Sequence, residues 1–470
     1  MVVSVVYAFG FTLFLAGRAS FWGDEGFAAG MTQLRWGRLV RDLGHIDVNM
    51  SLYYAFAKLW VGVFGLSEVG LRSFSVLCAF GSLVATYRLG LRLFDRRWAC
   101  WLVALVTVNP FFLRVALTAR PYAMVMLASL VATLLLLRAL EQPALGWWVV
   151  YGMLAGTSLY IHMTAALYIA AHAVFLVVTR SVRGRGPRVA GVIIAVATIP
   201  TVAYIAPVNT LAWIGKPTVR GVVTIAARTT GSPVLLVVFT LAVLGGLFTI
   251  VQMARRATAT AIDWFPVVAT LVPISVVLVL LPFQSLLIEL YFAVVFVPMA
   301  ALATRGIMQL ARPRSDAVVL AVVVLSMTLA TIGLWQHPTT TDQKWRSAAK
   351  QFATLVHHGD AVAFPDSFYR ITAEYYSRRD AGWTAAVPIL PSAPWDTLRP
   401  YELDRTSRLG VERTPEAIDR EIVGHDRIWL VGPDTENMHV VVQALTRHGY
   451  RLEAERQVTN IVQDLYVASS

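Results

Sequence analysis

Apolar residues run in long blocks along the first two thirds of the chain, separated by short polar segments. Blocks of roughly 20 residues, apolar on every side, suit helices that cross a bilayer. Such blocks occupy 2–18, 70–91, 98–113, 121–140, 147–162, 164–180, 189–206, 233–252, 264–281, 291–304 and 317–335. The pattern predicts about eleven transmembrane helices. The first block lacks a basic start and a small-residue cleavage site, so it reads as a retained span rather than a signal peptide.

The polar segment 19–69 has its own period. Phe27, Met31, Leu34, Leu39 and Leu43 recur at near-helical spacing, with Arg35, Arg38 and Arg41 between them. This predicts a helix lying flat in the membrane interface, apolar face down. A second such helix is predicted in "LYYAFAKLWVGVFG". After about residue 336 the pattern changes again. "WRSAAKQFATLVHHG" reads as a helix closed by Gly359 in a left-handed cap. "DAVAFP", "RIWLVG", "YRLEAERQV" and "IVQDLYVA" read as strands, and the Pro-rich "VPILPSAPW" as a connector. "ENMHVVVQALTRHG" is a further helix with Gly449 past its end. Helix and strand in alternation predict a small α/β domain with a mostly parallel sheet. No glycine-rich loop joins a strand to a helix there, so no nucleotide site is expected. The fold class is therefore a polytopic α-helical membrane protein. A transmembrane domain, 1–335, carries 19–69 as its first extracytoplasmic loop, and a small C-terminal α/β domain, 336–470, follows.

Composition agrees: 57% of the 470 residues are hydrophobic and 14% charged, and the mean hydropathy is +0.62. The formal net charge of +12 raises nucleic acid as a partner, but the positions argue for a lipid bilayer instead. Arginine collects in "RLFDRRW", "RALEQP", "RSVRGRGPR", "ARRATATAID" and "RGIMQLARPRSD", which alternate along the chain. The positive-inside bias places these loops in the cytoplasm. Residues 19–69, 114–120, 163, 207–232, 282–290 and everything after 335 then face outward. Arg-rich, Lys-poor usage points to a bacterial plasma membrane. Cys78 and Cys100 lie in or beside apolar blocks and read as free thiols, with no metal-ligand spacing of Cys and His.

Five polar clusters fall on the predicted outer side. They are Asp24 with Glu25; Asp47, Asn49 and Tyr53 in "HIDVNMSLYY"; Arg120 and Tyr122 in "LTARPYAM"; His162 in "YIHMTA"; and Glu289 with Tyr291 in "LLIELYF". Together they are expected to line one cavity holding carboxylates and a fixed cation. Moving a sugar from a lipid phosphate would use such a set. A phosphate ester leaves without a general acid, whereas the attacking hydroxyl must lose a proton. One placed carboxylate contributes about 10²–10⁴ in rate as base. A cation such as Arg120 stabilises the charge growing on the departing phosphate. Plainer readings stand beside each cluster. Asp24 caps the interfacial helix and Glu25 complements its dipole. Arg120 and Tyr122 anchor a span at the headgroups, Asp47 is solvated, His162 is a hydrogen-bonded helix-end residue, and Glu289 sits on the rim.

The order of "DE" after the first span, "DVNMSLYYAFAKLWVGVFGLSEVGLRSFSVL", "YRLGLRLFDRRWACWLVAL", "NPFFLRVALTARPYAM" and "YIHMTA" resembles the C-type (GT-C) membrane glycosyltransferases. It looks closest to the branch of protein O-mannosyltransferases and the aminoarabinose transferase of lipid A. The tail is similar to the extracytoplasmic domain of actinobacterial members. The resemblance covers most of 20–180 and parts of 280–380. It implies inverting transfer from a polyprenyl-phosphate sugar, mannose or arabinofuranose, to a cell-envelope glycan, glycolipid or protein at the outer face. It maps the base onto Asp24, and gives Glu25 the acceptor, the donor phosphate or a divalent cation. That cation, Mg or Mn held by Asp24 and Glu25, is the one cofactor left open. Members often read Asp-x-His-Pro-Pro-Leu-Tyr-Tyr where this chain has Asp47-Val48-Asn49-Met50-Ser51-Leu52-Tyr53-Tyr54, so metal binding is not expected there. Glu289-Leu290-Tyr291 replaces a frequent Glu-Arg-Tyr and drops an expected phosphate-binding arginine. Lys216 or Arg220, in "WIGKPTVRG", is the expected substitute. Two other functions remain open: a transporter or flippase of lipid-linked sugars, which needs ionisable residues at mid-span, and a non-catalytic assembly factor whose tail binds a partner.

Overall fold

A computed structural model of the chain describes residues 1–44, 47–205, 214, 217–310, 314–337, 343–377, 383, 385–392, 395 and 415–469. Its contacts divide into two compact units. One comprises Met1–Ala16, Val48–Tyr53 and Arg72–Pro338; the other comprises Gly17–Asp47, Tyr54–Leu71 and Thr339–Ser470.

The first unit is helical. Among the described residues, Glu68–Leu93 (in this unit from Arg72 on), Tyr122–Glu141, Arg185–Ala203, Pro233–Arg255, Ala261–Leu280, Glu289–Gln309 and Ser315–Gln336 are long and apolar enough to cross a membrane. Val2–Ala16 and Ala165–Val178 are shorter apolar helices. The predicted span 98–113 is instead a broken pair, Arg96–Thr107 and Pro110–Leu117, bent by 62°. The cause is local. Asn109 Oδ1 accepts from Phe111 N at 2.8 Å, capping a new helix, and Pro110 at its first position has no N–H to continue the old one. Asn109 Nδ2 also donates to the Thr230 carbonyl at 2.8 Å.

Large apolar side chains such as Val192, Val196, Ile199, Val237, Leu241 and Phe248 stay exposed on the helix flanks, as lipid-facing surface should. Between helices the packing is by small residues. A Cβ on Gly246 would overlap the Leu302 carbonyl, and one on Gly306 the Ala242 carbonyl, so the Pro233–Arg255 and Ala293–Leu310 helices touch backbone to backbone. His172, inside Ala165–Val178, has Nε2 3.0 Å from Thr133 Oγ1 and Nδ1 3.2 Å from Tyr151 Oη. Both ring nitrogens are satisfied, so it serves packing. At the arginine-rich ends, Arg305 pairs with Asp263 at 2.7 Å and donates to the Leu93 carbonyl at 3.1 Å. That half-buried cation ties together three of the five basic segments.

The second unit contains a six-stranded sheet: β1 Ala361–Ala363, β2 Val387–Leu390, β3 Arg427–Pro433, β4 Tyr450–Ala454, β5 Gln457–Val458 and β6 Ile461–Ala468. The order is β2-β1-β3-β6-β4, with β5 also on β6. β1 runs parallel to β2 and β3, but β6 is antiparallel to β3, β4 and β5. The expected mostly parallel sheet is therefore mixed. Only two residues separate β4 from β5 and β5 from β6, too few for the crossover a parallel neighbour needs. "VPILPSAPW" supplies β2 rather than a mere connector; as an edge strand it tolerates Pro388, which cannot donate to a ladder. Gly449 follows the helix Glu436–Arg447 with φ +80°, the expected left-handed end. Gly359, φ +89°, does not cap a helix. Trp345–Leu355 ends at an extended Val356, and Gly359 instead turns the chain into β1.

The flat helix predicted from Phe27 is two helices, Gly23–Gln33 and Trp36–Leu43, broken where Leu34 and Arg35 are extended. Its apolar stripe is buried as the period requires: Phe27, Met31, Leu34, Leu39 and Leu43 are all inside. The second predicted helix is Ser51–Phe64.

Candidate functional site

Asp24 and Glu25 occupy the first turn of Gly23–Gln33, in the second unit. Trp22 is the N-cap residue and provides no side-chain cap bond, so Asp24 is not the cap. The first N–H of the turn, and that of Phe21 just before it, go to the tail instead. Gly23 N donates to Gln343 Oε1 at 2.9 Å, and Phe21 N donates to Tyr376 Oη at 2.7 Å. Tyr376 in turn donates to Glu68 at 2.9 Å, and Arg346 binds the same carboxylate at 2.7 Å. Thr372, on the helix Ser367–Ser377, donates to the Gly23 carbonyl at 3.4 Å. Gly26 is where the two helices meet. A Cβ there would overlap the Thr372 hydroxyl and lie 2.7 Å from its Cβ.

Glu25 is 0% exposed and Asp24 is half-buried. Consecutive helical positions point about 100° apart, so the two carboxylates face different surroundings. Tyr369, on the tail helix, reports where Asp24 acts. Burial first, then the negative charges of Asp366 and Asp24, push its hydroxyl up to about 12, against a hydrogen bond with Gln343. Tyr369 thus keeps its proton at any physiological pH beside the Asp24 charge. Asp47 is half-buried and accepts from Tyr54 Oη at 3.2 Å. The Tyr54 ring lies 6.4 Å from Phe27 on the acidic helix.

The other described candidates belong to the first unit. Arg120 is buried, with Nη2 3.5 Å from Met50 Sδ. Leu52 N donates to the Tyr160 carbonyl at 2.8 Å, so the segment carrying Asn49 and Met50 is pinned to the turn that carries His162. Asn49 is half-buried; Tyr53 is fully buried, its ring 6.1 Å from Phe74. His162 Nδ1 lies 2.9 Å from Thr164 Oγ1 and receives the Thr164 N–H at 3.3 Å. Its ring meets Tyr291 at 5.0 Å and Tyr122 at 5.2 Å, both edge to face. Tyr122, His162 and Tyr291 therefore form one aromatic group, flanked in sequence by Arg120 and Glu289.

Glu289, 8% exposed, lies between two arginines that sequence reasoning missed. Arg114 Nη1 is 3.2 Å from Oε1 and Arg228 Nη1 is 3.2 Å from Oε2. The three side chains leave one net positive charge. Arg114 sits in the quoted "NPFFLRVALTARPYAM", an arginine inside an apolar run, which was the available signal. Arg228 ends Val219–Thr230 and had no local signal. Lys216 lies outside the described residues, and Arg220 is exposed near the start of the Val219–Thr230 helix. Among the described residues no group of three or more His, Cys, Asp or Glu side chains is placed to hold a metal ion.

Residues 51–204 match the family model of dolichyl-phosphate-mannose-protein mannosyltransferase. Among solved structures, ArnT from Cupriavidus metallidurans in the apo state aligns with TM-score 0.64 at 13% identity, over 99% of this chain and 97% of that one. The same protein bound to undecaprenyl phosphate aligns with TM-score 0.63 at 14% identity, over 100% and 98%. No curated protein sequence matches the chain. The chain has the ArnT-like GT-C fold, as its sequence resemblance implied, and is a multi-pass membrane protein.

Proposed function

We propose that the protein is a glycosyltransferase that moves a sugar from a polyprenyl-phosphate donor to a cell-envelope glycan, glycolipid or protein acceptor, with inversion. The observation that carries this reading is the likeness, over nearly the whole of both chains, to a protein solved with undecaprenyl phosphate bound. Asp24 is the base. Its carboxylate takes the acceptor hydroxyl proton as that oxygen bonds to the anomeric carbon, the bond from that carbon to the phosphate oxygen breaks, and its electron pair leaves with the polyprenyl phosphate. Tyr369, on the tail helix, stays protonated beside the Asp24 charge. Arg114, Arg120 and Arg228 are the cations that take up charge on the departing phosphate; arginine forks match phosphate geometry. Glu289 holds two of them in place, and Tyr122, His162 and Tyr291 form a platform of sugar-binding type. Mannose is favoured over arabinofuranose by the family model that spans 51–204. The positive-inside bias puts the acidic turn and the tail outside a bacterial plasma membrane.

Membranes carrying the protein should transfer label from one member of a panel of radiolabelled polyprenyl-phosphate sugars. Asp24→Asn should cut that transfer by about 10² or more while donor binding stays within about twofold. A wild-type rate in Asp24→Asn would remove the base assignment. Donor movement across vesicles without any transfer would favour the flippase reading.

A further inference from the structure

The arginine-rich side of the first unit holds a cavity of about 320 Å³ that the transfer chemistry does not use. Part of its lining is apolar: Leu140, at the end of Tyr122–Glu141, with the exposed Leu145 and the buried Trp148 on the next helix. Ser181, Gly184 and Arg185 supply the polar part of the lining. The chain builds this shape deliberately. Arg180 adopts φ +56°, uncommon for a residue with a side chain, and enters a 3-10 turn at Ser181–Arg183. The next helix then starts at Arg185 with Gly186 set against Trp148, where any Cβ would overlap the indole.

The charge around this cavity is one-sided. Arg180, Arg183, Arg185 and Arg188 are all exposed, and Arg138 lies over Trp147 at 5.7 Å. The nearby carboxylate, Glu141, is already bonded to Arg92. No ion pair engages the four loop arginines among the described residues. Arg185 thus lines a pocket that also has apolar lining, and Arg180, Arg183 and Arg188 stand next to its lining residues Ser181, Gly184 and Pro187 in the chain, where two pairs of apolar helices end.

We infer that this cavity binds the headgroup of an anionic phospholipid. The phosphodiester would sit at Arg183, Arg185 and the free first-turn N–H groups of the helix that begins at Arg185. The glycerol and first methylenes would lie on Leu140, Leu145 and Trp148. A soluble phosphate would satisfy the arginines but leave the apolar lining uncovered, whereas a lipid satisfies both. The inference is independent of the proposed transfer reaction.

Native mass spectrometry of the full-length protein tests it, with phosphatidylglycerol and phosphatidylcholine of matched chains offered together. Phosphatidylglycerol should be retained in preference. Arg183→Gln/Arg185→Gln should lower its retention by about 25-fold, roughly fivefold per arginine. Arg255→Gln/Arg256→Gln removes the same charge from another exposed basic loop and should leave retention unchanged. Equal loss in both double variants, no preference between the lipids, or displacement by millimolar inorganic phosphate would overturn the inference.

Discussion

Gly26→Ala tests how the tail holds the acidic turn. In an open helix this substitution stabilises by about 1 kcal/mol, because alanine is the better helix former. Here the added methyl would overlap the Thr372 hydroxyl and lie 2.7 Å from Thr372 Cβ and 3.0 Å from Cα. The last of these is backbone and cannot rotate away. Overpacking of this kind costs about 1–3 kcal/mol, and the depth of the overlap puts it at the upper end. After the propensity gain is subtracted, the net loss is about 2 kcal/mol. For a unit of this size that lowers Tm by about 4–8 °C. Because Asp24 and Glu25 directly precede Gly26, a shift of the turn by about 1 Å should also lower transfer by up to about 10². Thermal unfolding of the purified protein reads the first effect and transfer of labelled sugar the second. A Tm equal to or above wild type would refute the contact between the two helices, because its sign would be that of an unobstructed helix.

Alanine double-mutant cycles on stability should give Arg114 and Glu289 a coupling of at least about 1 kcal/mol. Arg228 with Glu289 should give less, because the Arg228 side chain is 55% exposed against 18% for Arg114 and solvent screens it. The reverse order would show that exposure does not set the strength of these pairs. Burial first, then repulsion from Glu455 and Asp434, pushes Asp464 on β6 up to about 6 despite a hydrogen bond from the Arg456 N–H. Its charge therefore costs stability above that pH, and the cost disappears as pH falls toward the unfolded value of about 3.9. Asp464→Asn should stabilise by about 1 kcal/mol at pH 7, after discounting for partial exposure, and by nothing near pH 4. The same Tm gain at both pH values would show that charge is not the cause. Transfer should survive EDTA, since adjacent helical carboxylates diverge by about 100° and do not chelate one ion together. Loss restored by Mg or Mn would establish a metal held in another way.

Much of the membrane part was legible in the sequence. A helix that meets lipid must be apolar on every side and long enough to cross, and both properties are written locally. The break at Asn109–Pro110 was also readable in principle, since a capping residue followed by proline ends any helix. Strand positions in the tail were legible except β2, which lies in a Pro-rich segment that reads as a connector; their direction was not, because pairing depends on how short the connections at 455–456 and 459–460 are. The candidate residues were named from local motifs, yet their partners were out of reach. Gln343, Thr372, Tyr369 and Tyr376 lie at the far end of the chain from Asp24, and nothing near residue 24 announces them. Arg114 and Arg228 became a pair only through Glu289. The sequence alone determined which segments enter lipid and which residue types could carry chemistry, because hydropathy and charge act at the scale of one helix. Only the tertiary structure decided what surrounds each candidate, because burial and neighbouring charge arise from segments brought together over the whole chain.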